Sequence, residues 1–140
     1  MTPEQVAVVQ DTLLAVTPRA GELSDRFYER LFEADPALRS LFPADLTEQR
    51  RKFSAELTEL VALVSDLDGL LPRARALGAR HRAYGVRAAH YQPTGERVIA
   101  TLAELLGPEW TDDAERAWRA AYRLVSEAMI QGSHEGAVGG

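Results

Sequence analysis

Apolar residues recur three or four positions apart along most of this chain, and that spacing restricts the chain to helices. The clearest example is a wide apolar face between residues 20 and 33, formed by Ala20, Leu23, Phe27, Tyr28, Leu31 and Phe32. No run of alternating β-branched residues favours a strand. We therefore expect an all-α fold.

Start and stop signals divide the chain into about six to seven helices. Thr2 and Pro3 are typical of a helix start, and so are Asp35 and Pro36, where a short helical corner ends at Pro43. Longer helices are predicted over 46–65, from about 71 onward, over 91–106 and from about 112 to 131. We expect one domain over residues 1–132 and a mobile tail over residues 133–140.

Composition excludes several classes of function. With 16 basic and 21 acidic side chains, the net charge of −5 gives no broad positive field for nucleic acid. The absence of cysteine excludes disulfides, thiolate zinc sites and iron–sulfur clusters. Apolar runs such as "LVALV" are too short to cross a bilayer, and the N-terminus lacks the layout of a signal peptide. We therefore expect no membrane span and a cytoplasmic location.

One of the three histidines falls on an apolar helix face. At 100° per residue, a narrow sector contains Leu70, Ala74, Leu77 and His81. Arginines flank that sector on both sides, with Arg73 and Arg80 on one flank and Arg75 and Arg82 on the other. His81 is therefore predicted to point inward, where its imidazole needs a hydrogen-bond partner, a metal or both. A purely structural histidine is the commoner outcome.

Four other polar residues leave alternatives open. His90 is interpreted as a partly exposed residue at a helix start, and His134 lies among glycines with nothing to hold it. Gln49 lies at the edge of an apolar stripe and is either a solvated boundary residue or a site residue. Tyr28 is either a core tyrosine or a donor in a site.

The order of these residues resembles a known family. A "FY" pair on the second helix precedes "LF" at the corner, a glutamine on a long helix, "LLPRARALGARH", and "HY". The later stretch "TDDAERAWRAAYRLVSEAMIQ" continues the match, which runs from about Val6 to Gln131. The chain resembles the bacterial single-domain haemoglobins and the globin part of flavohaemoglobins.

The resemblance implies a globin fold that encloses haem b. By that resemblance, His81 is the metal ligand on the proximal side of the haem and His90 is not a ligand. Phe42 corresponds to the phenylalanine that packs on haem, with simple core filling as its other reading. The remaining residues implied to line the haem are Phe53, Val86, Tyr91, Tyr122, Val125 and Met129.

On the opposite, distal side, the resemblance implies Tyr28 and Gln49 as hydrogen-bond donors to bound gas. A phenol donor contributes roughly 1–3 kcal/mol, which slows oxygen dissociation up to about a hundredfold. Phe53 stands where the family usually has leucine, so we expect a crowded pocket and slower ligand access.

Tyr91 matches the tyrosine that orients the proximal imidazole, and the family completes this network with a glutamate near the chain end. Here Ser133 occupies the matching position and the nearest acid is Glu135, which substitutes only if the last helix ends irregularly. Loss of the carboxylate weakens the case for peroxidase-like or nitric-oxide dioxygenase chemistry. Arg80 or Arg82 either pairs with a haem propionate or forms a solvated flank.

The resemblance therefore implies reversible binding and delivery of dioxygen, with nitric oxide and carbon monoxide as further ligands. The alternative is a nitric-oxide dioxygenase, whose electrons we expect from a separate flavin-dependent reductase because a chain ending at Gly140 has no room for one. A gas sensor and a helical module without cofactor are further alternatives. Related single-domain globins also make a homodimer an expectation to test.

Overall fold

The described residues form six α-helices and four short 3-10 helices, so the all-α expectation and the predicted number of helices are confirmed. The computed structural model describes the backbone of residues 1–139 and the side chains of residues 1–135. The α-helices are α1 (Pro3–Val16), α2 (Ala20–Ala34), α3 (Thr47–Ala62), α4 (Leu67–Ala83), α5 (Tyr91–Leu106) and α6 (Asp112–Gly139). The 3-10 helices are Thr17–Arg19, Pro36–Leu41, Ala88–His90 and Gly107–Glu109.

The predicted helix ends are confirmed where a local cap decides them. Gln5 N donates to Thr2 Oγ1 at 3.1 Å while Thr2 N donates to Gln5 Oε1 at 3.0 Å, which closes a capping box on α1. Gly107 ends α5 with a φ of 53°, a conformation that costs glycine little.

Two predicted helix boundaries and one predicted cap were wrong. α4 begins at Leu67, about four residues early, because the Asp66 side chain caps its first turn by accepting from Gly69 N at 3.3 Å. The corner after Asp35 is a 3-10 helix without a side-chain cap. α6 does not end near Gln131 but continues through Ser133 to Gly139. The predicted mobility of 133–140 stays a prediction, and residue 140 lies outside the described residues.

Two glycines let α4 and α6 pack with their backbones in contact. A Cβ built on Gly78 would lie 1.9 Å from Met129 O, and one built on Gly132 would lie 2.0 Å from Arg75 O. Both values are far inside van der Waals contact, so only glycine fits. Gly132 therefore belongs to the interior of the helix pair, which explains why it does not end α6.

Gly78→Ala is expected to destabilise the fold by about 2 kcal/mol or more, because α4 and α6 must move apart to admit the methyl group. Chemical denaturation followed by circular dichroism measures the change. Gly21→Ala is the matched control, since nothing lies within 4 Å of its built Cβ and alanine stabilises a helix by up to about 1 kcal/mol. Equal stability of Gly78→Ala and wild type would contradict the close contact.

Buried side chains form two clusters. The first core joins α1, α2, α5 and α6, and it includes Phe27, Tyr28 and Trp118. The second core joins the end of α3 to α4, the start of α5 and the later part of α6, and it includes Leu77 and Tyr91. Within the described residues, no helix is both long enough and apolar enough to cross a membrane.

Candidate functional site

The backbone around His81 is fixed by the way α4 ends. Val86 N donates to His81 O and Gly85 N donates to Arg82 O, both at 3.0 Å. These two bonds, with Gly85 at a φ of 96°, form a Schellman motif. The loop is thereby folded back on the last turn of α4, and His81 is held in regular helix.

The hydrogen bond of His81 defines which ring nitrogen is free. Nδ1 lies 2.8 Å from the Leu77 carbonyl oxygen. Because a carbonyl only accepts, Nδ1 must carry the proton, and the neutral ring keeps its lone pair on Nε2. Burial lowers the pKa of His81 and so favours this neutral form. The side chain is partly buried, and its Nδ1–H is held by a backbone carbonyl, as is usual for a histidine that binds a metal through Nε2.

Tyr28 and Gln49 come together from different helices, as the resemblance implied. Gln49 Nε2 on α3 donates to the Tyr28 hydroxyl oxygen on α2 at 3.1 Å. Since the amide NH₂ only donates, the phenol oxygen accepts and its own O–H remains available for another acceptor. Burial raises the pKa of Tyr28, which is 4% exposed, so the group stays a protonated phenol.

Aromatic rings surround this phenol. Phe42 meets Tyr28 edge-on with ring centroids 5.7 Å apart, and Phe53 does so at 5.8 Å. Phe53 also stacks on Phe27, with centroids 4.4 Å apart and planes within 4° of parallel. Phe32 completes the cluster through Phe42 at 5.3 Å. Phe27 and Phe32 were predicted to lie on an apolar helix face, but not as neighbours of the site.

The proximal tyrosines do not bond to the imidazole. Tyr91 is 7% exposed, and its buried hydroxyl has no hydrogen-bond partner among the described residues. The Tyr122 hydroxyl donates to the Tyr91 carbonyl oxygen. Burial raises the pKa of both phenols. The orienting role of Tyr91 stays a prediction, and Leu77 is the partner that His81 has.

Ser133 lies in the position where the resemblance implied a glutamate. It is 7% exposed and belongs to regular helix. Glu135, two residues on, is exposed. The condition for Glu135 to substitute was an irregular end of the last helix, and α6 is continuous there. Glu135 therefore does not take the place of the implied glutamate.

Other predicted residues fall on the second core. Met129 is buried there, and Val86 and Val125 are half-buried against it. Gly85 joins this side to the corner that carries Phe42, because a Cβ built on it would lie 3.2 Å from Leu41 Cδ2. The donors Tyr28 and Gln49 thus lie with the first core, and His81 lies on the side of the second.

The remaining polar residues lie outside these contacts. Arg80 Nη2 is 3.5 Å from Glu56 Oε1, and Arg82 is exposed. His90 is half-buried, and its Nδ1 accepts from Arg87 N at 3.0 Å, as suits a residue at a helix start. His134 is exposed on α6. Neither His90 nor His134 contacts the tyrosine–glutamine pair.

Known proteins resemble this chain in sequence and in fold. The flavohemoprotein of Bordetella parapertussis is 30% identical over 93% of this chain, which corresponds to 33% of the relative. The chain spans about a third of the length of the curated relatives it matches.

Solved structures agree on the fold. A bacterial globin from Campylobacter jejuni superposes with a TM-score of 0.85 at 20% identity, covering 96% of this chain and 97% of that one. A flavohemoglobin from Malassezia yamatoensis, solved with bound FAD and heme, gives 0.78 at 19% identity over 96% of this chain and 37% of its own. A sequence profile of the globin family matches residues 25–129. The chain therefore belongs to the globin family.

Proposed function

We propose that this globin binds haem through His81 Nε2 and binds dioxygen and other diatomic gases reversibly on the opposite side. The observation that carries the proposal is the pair of hydrogen-bond assignments. Leu77 O leaves Nε2 of His81 as a free lone pair, and Gln49 leaves the Tyr28 O–H as a free donor. The lone pair of Nε2 suits a metal ion, and the O–H of Tyr28 suits a partly negative atom of a bound gas.

The residues present fit a haem. Aromatic and aliphatic side chains lie on both sides, with Phe42 and Phe53 toward the first core and Val86 and Met129 toward the second. Among the described residues, the buried Tyr91 hydroxyl has no hydrogen-bond partner, which suits a site completed by a further group. When bound, haem would supply an iron that His81 would hold and that takes up a diatomic gas.

Each half of the site has a separate task. His81 would hold the iron in a direction fixed by the Leu77 hydrogen bond and by the Schellman motif. Tyr28 would donate its O–H to the partly negative gas, while Gln49 holds the phenol in place. The aromatic rings keep water away from the gas, which strengthens that hydrogen bond. Haem b is the haem type that such a site favours, because the chain has no cysteine to attach haem covalently.

The proximal hydrogen bond favours gas binding over oxidation chemistry. His81 donates to a neutral carbonyl, and α6 has Ser133 at the position where the resemblance implied a glutamate. The imidazole therefore gains less anionic character and gives less electron density to iron. A nitric-oxide dioxygenase remains the second candidate because the Tyr28–Gln49 pair would also hold dioxygen for that reaction, which needs an external electron donor.

The test is spectroscopic. Purified protein titrated with haem should develop a Soret band at one haem per chain, and reduced protein should change spectrum reversibly under oxygen and under carbon monoxide. Absence of haem uptake would overturn the proposal. Nitric-oxide consumption, measured with an added reductase, separates the two candidates: turnover well above that of free haem would favour the enzyme.

Phe53→Leu is expected to speed the association of oxygen and carbon monoxide by several-fold, because the smaller side chain clears space beside Tyr28. Flash photolysis measures the rate. Phe27→Leu is the companion variant, since it keeps Phe53 but removes its stacking partner. A smaller increase in that variant is expected if the stack fixes the ring. Unchanged rates in both variants would exclude Phe53 as the barrier.

A further inference from the structure

Positive charge is concentrated on the segment that carries His81. Between Gly69 and Gly95 the sequence has five arginines and neither aspartate nor glutamate, although the whole chain has a net charge of −5. The rest of the chain is therefore strongly acidic on balance. The basic segment comprises most of α4, the loop after it and the 3-10 helix Ala88–His90.

Much of this charge is not neutralised. Glu56 pairs with Arg73 Nη2 at 2.7 Å and with Arg80 Nη2 at 3.5 Å, and Glu59 also pairs with Arg73, so two acids offset part of the charge of the five arginines. Arg82 and Arg87 are exposed, and neither forms a salt bridge within the described part of the chain. The carbonyl end of α4 contributes only about −0.5 charge. A net positive surface therefore remains after the helix dipole is counted.

Two of these arginines lie on either side of the Schellman loop in the chain. The motif folds the loop back onto the last turn of α4, with Arg82 in that turn and Arg87 after the loop. Tyr84 lies between them in sequence and is 70% exposed, and Leu41, 38% exposed, packs near Gly85. We call Arg82, Tyr84, Arg87 and Leu41 the α4-end surface. Arginine and tyrosine are the side chains enriched in protein interfaces.

We propose that the α4-end surface docks an acidic protein that carries one electron at a time and reduces the haem iron. This inference rests on the proposed function, because it needs haem on His81. The carrier loses one electron, ferric iron becomes ferrous, and no bond in this chain forms or breaks. Arg82 of this surface directly follows the proposed ligand His81 in the last turn of α4, so docking there gives a short path to the iron.

A compact acidic protein fits this surface better than an extended polyanion does. A nucleic acid or an anionic membrane reaches beyond the patch and meets the acidic remainder of the chain, which repels it. A small carrier contacts the patch alone. Complementary charge then raises the association rate and makes it fall with ionic strength.

The test uses haem-loaded protein, an acidic [2Fe–2S] ferredoxin as the probe and the variant Arg87→Glu. Stopped-flow absorbance gives the second-order rate constant of reduction, and ferredoxin chemical shifts give the Kd independently of electron transfer. Arg123→Glu is the matched control, because Arg123 is exposed on α6 and the substitution changes the net charge equally. We expect Arg87→Glu to lower the rate constant about fivefold at low salt and to match wild type at high salt.

Each other outcome overturns the proposal. Equal losses in Arg87→Glu and Arg123→Glu would mean that net charge, not this surface, sets the rate. An unchanged Kd and an unchanged rate constant in Arg87→Glu would exclude the α4-end surface as the docking site. Arg87-dependent binding to phosphatidylserine vesicles with unchanged ferredoxin reduction would assign the surface to a membrane instead. Failure of the proposed function is distinguishable, since the Soret band would then be missing before ferredoxin is added.

Discussion

His81→Ala is expected to lose haem, with haem affinity falling by more than about 100-fold. Removing a residue that only hydrogen-bonds to a metal ligand can already cost about 100-fold, and removing the ligand itself should cost more. The reason is that Nε2 of His81 is the free lone pair that the Leu77 hydrogen bond leaves for a metal. Haem titration followed at the Soret band measures the change. Imidazole added to the variant should restore part of the band, because it replaces the missing axial group.

His90→Ala is the matched control for this experiment. His90 is another half-buried histidine, but its Nδ1 is occupied by the backbone of Arg87 at a helix start. Its removal should leave the Soret band unchanged. Far-ultraviolet circular dichroism on both variants separates loss of haem from loss of fold. Retention of a full Soret band in His81→Ala would exclude His81 as the ligand.

Tyr28→Phe is expected to speed oxygen dissociation by up to about 100-fold, the equivalent of losing one hydrogen bond of roughly 1–3 kcal/mol in a dry site. The ring and its aromatic contacts stay, so the variant removes the O–H alone. Stopped-flow mixing of the oxygenated protein with carbon monoxide measures the rate. Carbon monoxide dissociation should change much less, because that ligand accepts hydrogen bonds weakly.

Two companions sharpen the measurement. Tyr84→Phe removes a hydroxyl from an exposed ring and should leave oxygen dissociation unchanged. Gln49→Leu removes the donor that fixes the phenol oxygen while keeping the phenol, so its effect should be smaller than that of Tyr28→Phe. A Tyr28→Phe rate equal to wild type would mean that the phenol does not reach the gas.

Local chemistry allowed the sequence to predict much of the fold. The start of α1 at Thr2 and the end of α5 at Gly107 depend on contacts within a few residues, so each was evident from sequence. The inward direction of His81 follows from helical periodicity alone, and Arg73 and Arg80 do share the flank that faces Glu56. The family resemblance, confirmed by the globin profile, paired Tyr28 with Gln49, which the structure joins by a hydrogen bond.

Tertiary structure decided what depends on contacts between distant residues. The last helix was predicted to end at about residue 131, but it continues through Gly132, whose missing side chain allows the close contact with Arg75 on α4. The stacking of Phe27 on Phe53 needs two helices to meet and leaves no mark in either helix pattern. That the Tyr91 hydroxyl has no hydrogen-bond partner within the described part of the chain likewise depends on which side chains the fold brings near it. Sequence determined the helices and their faces because those interactions are local, and the fold alone decided which faces touch.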